Sequence, residues 1–408
     1  MTAAEWLIAI VVLYPVMTAA LWVAGGVLFR LLDERRPVLD GDGDWPGVTV
    51  LIPAYNEEAV IATSVRAAEA SDYPELEVLV LDDGSTDRTC EVARASAGPR
   101  TEVVRDATNR GKADRLNAGF ARARHELVVV TDADAHLHPQ AIRHLVARID
   151  DSSRIAAVAG APHVTNRDHL ICALQVLEAA SIIGLIRRTQ SLTGRVGVVA
   201  GVLGIFRRDR VLAVGGYNPQ MATEDIELTW RLLMAGWQTG YEPRALVGME
   251  VPPTMSALWA QRKRWARGQG EVLHLHMREV FRWRNHRMWL LALESLASPL
   301  WVIAIAVGFV VGAVHAVFGS GIDLFGLGMA WGVAISVVSI VQLAVALVLS
   351  VHYDRWDLRS ILVGAIYPAL YWTVSAAAAL RSQLAAFIRG PRAQRVVWDV
   401  PREERVIS

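Results

Sequence analysis

Glu77-Val78-Leu79-Val80-Leu81-Asp82-Asp83-Gly84 is a short apolar run that passes directly into two carboxylates and a glycine, which is how a buried strand ending in a polar turn is written. The same grammar recurs on both sides of it. Upstream, Val48-Thr49-Val50-Leu51-Ile52 reads as a buried strand ended by Pro53 and followed by a helix over 57–70. Downstream come a helix start at Ser85-Thr86-Asp87, a short strand at Val103-Val104, a helix after Lys112, and Leu127-Val128-Val129-Val130 ending at Thr131-Asp132. Strands that alternate with helices predict a parallel sheet, whose ligands bind beyond the carboxyl ends of the strands. The acidic residues stand at those ends.

Outside this region the chain changes character. It has 408 residues, 53% of them hydrophobic, and a mean hydropathy too high for an ordinary soluble protein that also carries a long charged middle. Its 41 basic and 41 acidic residues cancel, so no nucleic-acid partner is expected. Two cysteines, Cys90 and Cys172, read as small packing residues and not as a disulfide framework. Residues 6–29 are uncharged and long enough to cross a bilayer core of about 30 Å. Arg30, Arg35 and Arg36 follow that run, which predicts an uncleaved anchor and places the next domain in the cytoplasm.

Three more apolar stretches, 289–317, 324–350 and 358–388, read as membrane helices, with Gly308/Gly312 and Gly328/Gly332 at a spacing that permits close helix contact. Four crossings would carry the C-terminus outside, yet Arg381, Arg389, Arg392, Arg395, Arg402 and Arg405 favour the cytoplasm. A broken or re-entrant helix at Pro368 reconciles the two. The organisation expected is an anchor at 1–32, a catalytic domain at 45–253 after a Gly/Asp linker at 40–44, a basic amphipathic segment at 254–288, membrane helices at 289–388 and an Arg-rich tail at 389–408.

Several side chains at or beyond the strand ends are of the types that bind phosphate, hold a cation or move a proton. Asp132 and Asp134 flank one residue after a strand and could present oxygens to Mg²⁺ or Mn²⁺ already held by phosphates, or could be solvated loop carboxylates. Asp225, next to Glu224, is either a base or part of a helix start in which Thr223 is the cap. Lys112 follows a glycine turn and suits a diphosphate, although a solvated lysine reads the same way. Gln261-Arg262-Lys263-Arg264-Trp265 lies in a segment, 254–287, with eight Lys/Arg and two Glu among aromatic residues, the composition of an interfacial helix. On such a helix Arg264 could meet a pyrophosphate and Trp265 a sugar ring. His274 and His276 read there as solvated or lipid-facing. Trp289, Glu294, Trp301, Tyr367 and Trp372 are candidates to line a polymer route.

The order Asp82-Asp83-Gly84, Asp132-Ala133-Asp134, Thr223-Glu224-Asp225 and Gln261-x-x-Arg264-Trp265 resembles the processive, membrane-bound family 2 glycosyltransferases, which include cellulose, chitin, hyaluronan and poly-N-acetylglucosamine synthases. The resemblance covers nearly the whole chain. It implies a GT-A-type α/β nucleotide-sugar transferase domain inserted between transmembrane helices of a multi-pass plasma-membrane (inner-membrane) protein. It implies that Ala54, Tyr55, Glu57 and Asp83 hold uracil and ribose, that Lys112, Asp132, Gln261 and Arg264 meet UDP, and that Asp132 and Asp134 hold the cation. It makes Asp225, with Glu224, catalytic and Trp265 the acceptor platform. Ala180–Gln190, Val199–Val202, Phe206–Arg208 and Tyr241–Leu246 are most similar to the bacterial poly-β-1,6-N-acetylglucosamine synthases. That similarity implies UDP-GlcNAc as donor, a growing β-1,6-linked polysaccharide as product, and membrane lipids, a small membrane subunit and export proteins as partners. A chitin- or hyaluronan-type synthase, or a non-processive enzyme acting on a lipid, is the alternative.

Overall fold

A computed structural model describes residues 3–34, 45–318, 324–353, 362–364 and 366–397. The linker at 40–44, residues 358–361, and Arg402 and Arg405 of the tail lie outside the described residues. In chain order the elements are α1 (Ala3–Leu32), β1 (Val48–Ala54), α2 (Ile61–Glu69), β2 (Leu76–Asp82), α3 (Thr89–Ser96), β3 (Thr101–Arg105), α4 (Lys112–Arg122), β4 (Leu127–Thr131), β5 (Ala135–Leu137), α5 (Ala141–Asp150) and β6 (Ile155–Val164). There follow α6 (Leu170–Glu178), a π-helical segment (Ala179–Gly184), α7 (Leu185–Leu192), β7 (Leu203–Arg207), α8 (Arg208–Ala213), α9 (Glu224–Met234) and β8 (Gln238–Met249). The chain then runs through α10 (Met255–Val280), a 3₁₀ turn (Trp283–Met288), α11 (Trp289–Phe318) and α12 (Leu324–Ser350). It continues into α13 (Tyr367–Ala378), a second π segment (Ala379–Gln383) and α14 (Leu384–Arg389).

The strands form one eight-stranded sheet in the order β3-β2-β1-β4-β7-β6-β8-β5. The parallel pairing expected from the alternation holds for β1 to β4 and again for β6 with β8, but β7 runs antiparallel to both β4 and β6, and β5 antiparallel to β8. Pro53 does not end β1, which continues to Ala54 paired with Asp82. Pairing with β4 stops at Leu51, so one flank of β1 is already an edge where proline lacks its N–H. The helix expected over 57–70 starts only at Ile61, and α3 starts at Thr89 and not at Ser85, because the intervening polar residues bind one another in the turns described below.

Every residue of β1, β2 and β4 is buried, and the two faces of the sheet carry separate cores. Ile61 and Val65 of α2 with Ile142, Leu145 and Val146 of α5 cover one face, and Leu116 and Phe120 of α4 with Leu228 and Leu232 of α9 cover the other. Each such side chain contributes about 1.5–3 kcal/mol by leaving water. Cys90 and Cys172 are buried and unpaired, as packing residues should be.

Among the described residues three helical stretches are long and apolar enough to cross a membrane: Val11–Leu32, Leu170–Leu192 and Trp283–Gly308, with Ile335–Ser350 a shorter apolar helix. The second lies inside the region read from sequence as the catalytic domain, and its α7 packs on α1. Helix α13 begins at Tyr367, with Pro368 in its first turn where the missing N–H costs nothing. Several residues proposed to line a polymer route have protein partners. Glu294 accepts from Gln190 Nε2 at 3.3 Å, Trp301 Nε1 donates to Val11 O at 2.7 Å, Trp289 Nε1 donates to Val280 O at 3.0 Å, and the Tyr367 hydroxyl meets Ser181 Oγ at 3.0 Å. The Trp372 side chain lies outside the described residues.

Candidate active site

The exits of β1 and β2 are stitched together by short polar side chains. Asn56 is the one non-glycine residue with positive φ, 54°, among the described residues, a conformation asparagine tolerates because its side chain bonds locally. Its Oδ1 accepts from Thr86 N–H at 2.9 Å, while its own N–H donates to Ser85 Oγ at 3.0 Å. Glu57 N–H donates to Thr89 Oγ1 at 2.6 Å. Ala54 and Glu57 are buried at this exit and Tyr55 is half-buried at its rim. Asp82 turns inward to Ser85 Oγ, 2.5 Å away. Asp83 is fully buried and accepts from Gly111 N–H at 2.7 Å and Arg110 N–H at 3.0 Å. Burial pushes its carboxyl up, against those two donors. Asp83 therefore orders the Asn109–Gly111 turn that presents Lys112, in which Gly111 adopts φ 94°.

Lys112 opens α4, and its ammonium contacts Asp132 and lies 3.8 Å from Glu224 Oε1. Burial works against this charge, but Asp132, Glu224 and Asp225 outweigh it and hold the ammonium above its ordinary range. Asp132 and Asp134 are partly exposed while Ala133 and Ala135 point into the core, so both carboxylates lie on the open side of a turn that Ser64 Oγ pins through Ala133 O at 2.6 Å. No cluster of three or more metal-ligating side chains exists among the described residues. Two carboxylates fit a hard cation whose other ligands are phosphate oxygens and water.

Opposite them stands the start of α9. The cap expected of Thr223 is not formed: its side chain makes no capping bond and its hydroxyl is buried without a partner. Glu224 and Asp225 thus occupy the first turn, where the helix dipole favours anions. Asp225 accepts from Ile226 N–H at 2.9 Å and from Gly201 N–H at 3.3 Å, which aims it between β7 and α9. Burial raises the Glu224 carboxyl, with Lys112 opposing and Asp225 adding to the rise. Arg264 of α10 is close enough for its charge to act on Glu224 as well. Five of the residues singled out from sequence, Lys112, Asp132, Glu224, Asp225 and Arg264, thereby face one another.

Helix α10 is locked to this centre. Glu271, fully buried, accepts from Ala222 N–H at 2.9 Å and from Arg267 Nε at 2.6 Å. A methyl group on Gly268 would come within 2.0 Å of Thr223 Oγ1, and one on Gly270 within 2.3 Å of Gln383 O in the second π segment. The histidines are not simply solvated, as the sequence suggested: His276 Nε2 meets Glu227 at 3.0 Å and His274 Nδ1 meets Phe387 O at 2.7 Å. Gln261 Oε1 is buried with no partner, and Trp265 is exposed. The start of the tail crosses the Asn109–Gly111 turn, where Val396 N–H donates to Pro219 O at 2.8 Å, Arg395 meets Asp114 at 2.9 Å, and Val396 O lies against Gly111.

Sequence reasoning missed Glu271, Arg262 and Tyr217. Tyr217 is 2% exposed, packs on Phe120 and Phe206, and has a hydroxyl without a partner. The signal available was glycine. Two glycines one residue apart in the middle of a long helix each cost about 1 kcal/mol, so Gly268 and Gly270 announce a close approach to another part of the chain.

This arrangement of a strand-end nucleotide turn, paired aspartates and an acidic helix start belongs to the GT-A-like nucleotide-sugar transferases. The solved structure of the mannosyltransferase PcManGT from Pyrobaculum calidifontis, in complex with GDP-Man and Mn2+, has the same fold, with TM-score 0.59 at 20% identity over 94% of this chain and 99% of that one. The family Glycosyltransferase like family 2 matches residues 46–268. Poly-beta-1,6-N-acetyl-D-glucosamine synthases of Staphylococcus epidermidis and of Staphylococcus aureus (strain COL) are each 30% identical to the chain. The first aligns over 89% of this chain and 90% of its own length, the second over 90% and 91%. The chain belongs to glycosyltransferase family 2 and is a nucleotide-sugar-dependent glycosyltransferase.

Proposed function

We propose that the protein is an inverting, processive transferase that polymerises N-acetylglucosamine from UDP-GlcNAc into a β-1,6-linked polysaccharide on the cytoplasmic face of the membrane and passes the chain across it. The observation that carries the reading is the gathering of Asp132, Glu224 and Asp225 around the Lys112 ammonium, with the Arg264 charge acting on Glu224 beside it. The names of the staphylococcal relatives supply the sugar and the linkage. Asp134 and Asp132 would hold Mg²⁺ or Mn²⁺, which stabilises negative charge on the departing diphosphate.

The chain's own residues divide the remaining work. The exit of β1, with Ala54, Tyr55 and Glu57, and the turn ordered by Asp83 receive uracil and ribose. Lys112, Gln261 and Arg264 bind the diphosphate by charge-assisted and amide contacts. Trp265 supports the acceptor sugar. Asp225 takes the acceptor hydroxyl proton as that oxygen attacks the sugar C1; the C1–O bond to the diphosphate breaks and UDP leaves with the electron pair. Glu224, held near Lys112, keeps that ammonium directed at the same point. The apolar helices α1, α11 and α12 anchor the catalytic region, and the basic face of α10 rests on lipid headgroups.

The test is full-chain protein in lipid nanodiscs given labelled UDP-GlcNAc with Mg²⁺ or Mn²⁺, following UDP release and digesting the product with β-1,6-specific hexosaminidase and chitinase in parallel. High-mass product cut only by the β-1,6 enzyme is expected. Product cut only by chitinase overturns the linkage, and absence of UDP release from UDP-GlcNAc overturns the donor.

A further inference from the structure

We propose that Arg262, fixed from behind by Glu178, positions the Trp265 indole for the acceptor sugar and so sets acceptor affinity separately from nucleotide handling. The inference rests on the reading of Trp265 as the acceptor platform. Arg262 and Trp265 are three residues apart on α10, so they share one face of the helix. The Arg262 guanidinium lies over the Trp265 ring at 4.4 Å from its centroid. The same guanidinium donates to Glu178 Oε2 at 2.5 Å, in a pair whose members are 7% and 6% exposed. One side of the indole is therefore backed by a cation held in place by Glu178, while the residue as a whole stays exposed.

Three features argue that the pair serves geometry and not stability. A buried ion pair is weak evidence of stabilisation, since apolar residues of equal size pack as well or better. Only a guanidinium can stack on an indole and bond a carboxylate in its own plane at once; an ammonium cannot. Glu178 is the last residue of α6 before the π segment Ala179–Gly184, and π insertions concentrate at functional sites. The pair also lines a small, mainly apolar pocket between α6, α10 and α13, beside Tyr367 and Tyr371.

The experiment uses full-chain protein in nanodiscs with UDP-GlcNAc and an added N-acetylglucosamine oligosaccharide. It compares wild type with Arg262→Met, Arg262→Lys and Glu178→Gln. Arg262→Met is expected to raise the oligosaccharide concentration for half-maximal rate by about tenfold or more, with UDP affinity and acceptor-free UDP release unchanged. Arg262→Lys should recover part of the loss, and Glu178→Gln, which keeps the shape but loosens the anchor, should fall between. Should Arg262→Met fail to fold, Arg262→Lys and Glu178→Gln carry the same comparison. Wild-type acceptor saturation in variants that bind UDP normally overturns the proposal. So does a parallel loss of UDP binding and acceptor use, which is what a purely structural pair would produce. Failure of the underlying reading is separate: Trp265→Ala would then leave acceptor saturation untouched.

Discussion

Strands β1 to β4 and strands β6 to β8 share one sheet, yet they build their parts of the site by different rules. On the side of β1 to β4 the strands are parallel, and each exit turn is held by a side chain from a neighbouring exit, as Thr86 is by Asn56 and Gly111 by Asp83. On the other side, antiparallel β7 reverses the chain, and the proposed catalytic residues come from the start of α9, held by α10 much later in sequence. Ala222 is bound by Glu271, Glu227 by His276, and Thr223 presses on Gly268. The first half is a preformed clamp. The second is a jaw whose alignment is set by the register of α10 against α9.

The two halves should separate under mutation. The largest effect is expected of Asp225→Asn, which removes the base from the jaw: turnover should fall about 10²- to 10⁴-fold while UDP affinity, measured by calorimetry, stays near wild type. Loss of UDP binding in that variant would mean that the halves are not separate. Arg264→Ala should weaken UDP roughly ten- to hundredfold, because a charge-assisted contact to the diphosphate is lost. Unchanged UDP affinity would move Arg264 out of the nucleotide clamp.

Gly268→Ala probes the joint itself. The new methyl collides with Thr223, a short side chain with little room to yield, so about 1–3 kcal/mol of stability should be lost. Turnover should drop while UDP affinity is retained, as read from UDP release beside a binding isotherm; intact turnover would show that α10 need not register against α9.

The smallest effect is on pH dependence. Burial pushes Glu227 up, but bonds from His276 and from both ends of the Arg231 guanidinium outweigh it and leave the carboxyl below its ordinary range. Its stabilisation is thus complete above the unfolded value of about 4.3 and is lost as pH falls through the lower folded value. Melting temperature should decline in that acid window, and Glu227→Gln should flatten the decline. An identical acid profile in the variant would show that α9 and α10 are held together by other contacts.

Much of the clamp was legible because its information is local. Three apolar runs, passing into Pro53-Ala54, Asp82-Asp83 and Thr131-Asp132, define β1, β2, β4 and their exits, and the errors of a few residues at the following helices arose where polar side chains bonded across turns and delayed the helix. The jaw was legible as residue types but not as geometry. Thr223-Glu224-Asp225 reads as a capped helix start, and only the structure shows the threonine turned against Gly268 and not capping. Leu170–Leu192 reads as one more apolar segment of an α/β domain until its contact with α1 is seen.

The sequence by itself determined the alternation of strands and helices, the carboxylates at the strand ends, the apolar helices and the family, because each of these is a pattern of period, turn chemistry or motif within a few tens of residues. The tertiary structure alone decided the reversal at β7, the meeting of Lys112 with Glu224, the crossing of the tail over Gly111 and the pairing of Arg262 with Glu178. Those depend on which buried surfaces and charges satisfy one another across long stretches of chain, and no local pattern encodes that choice.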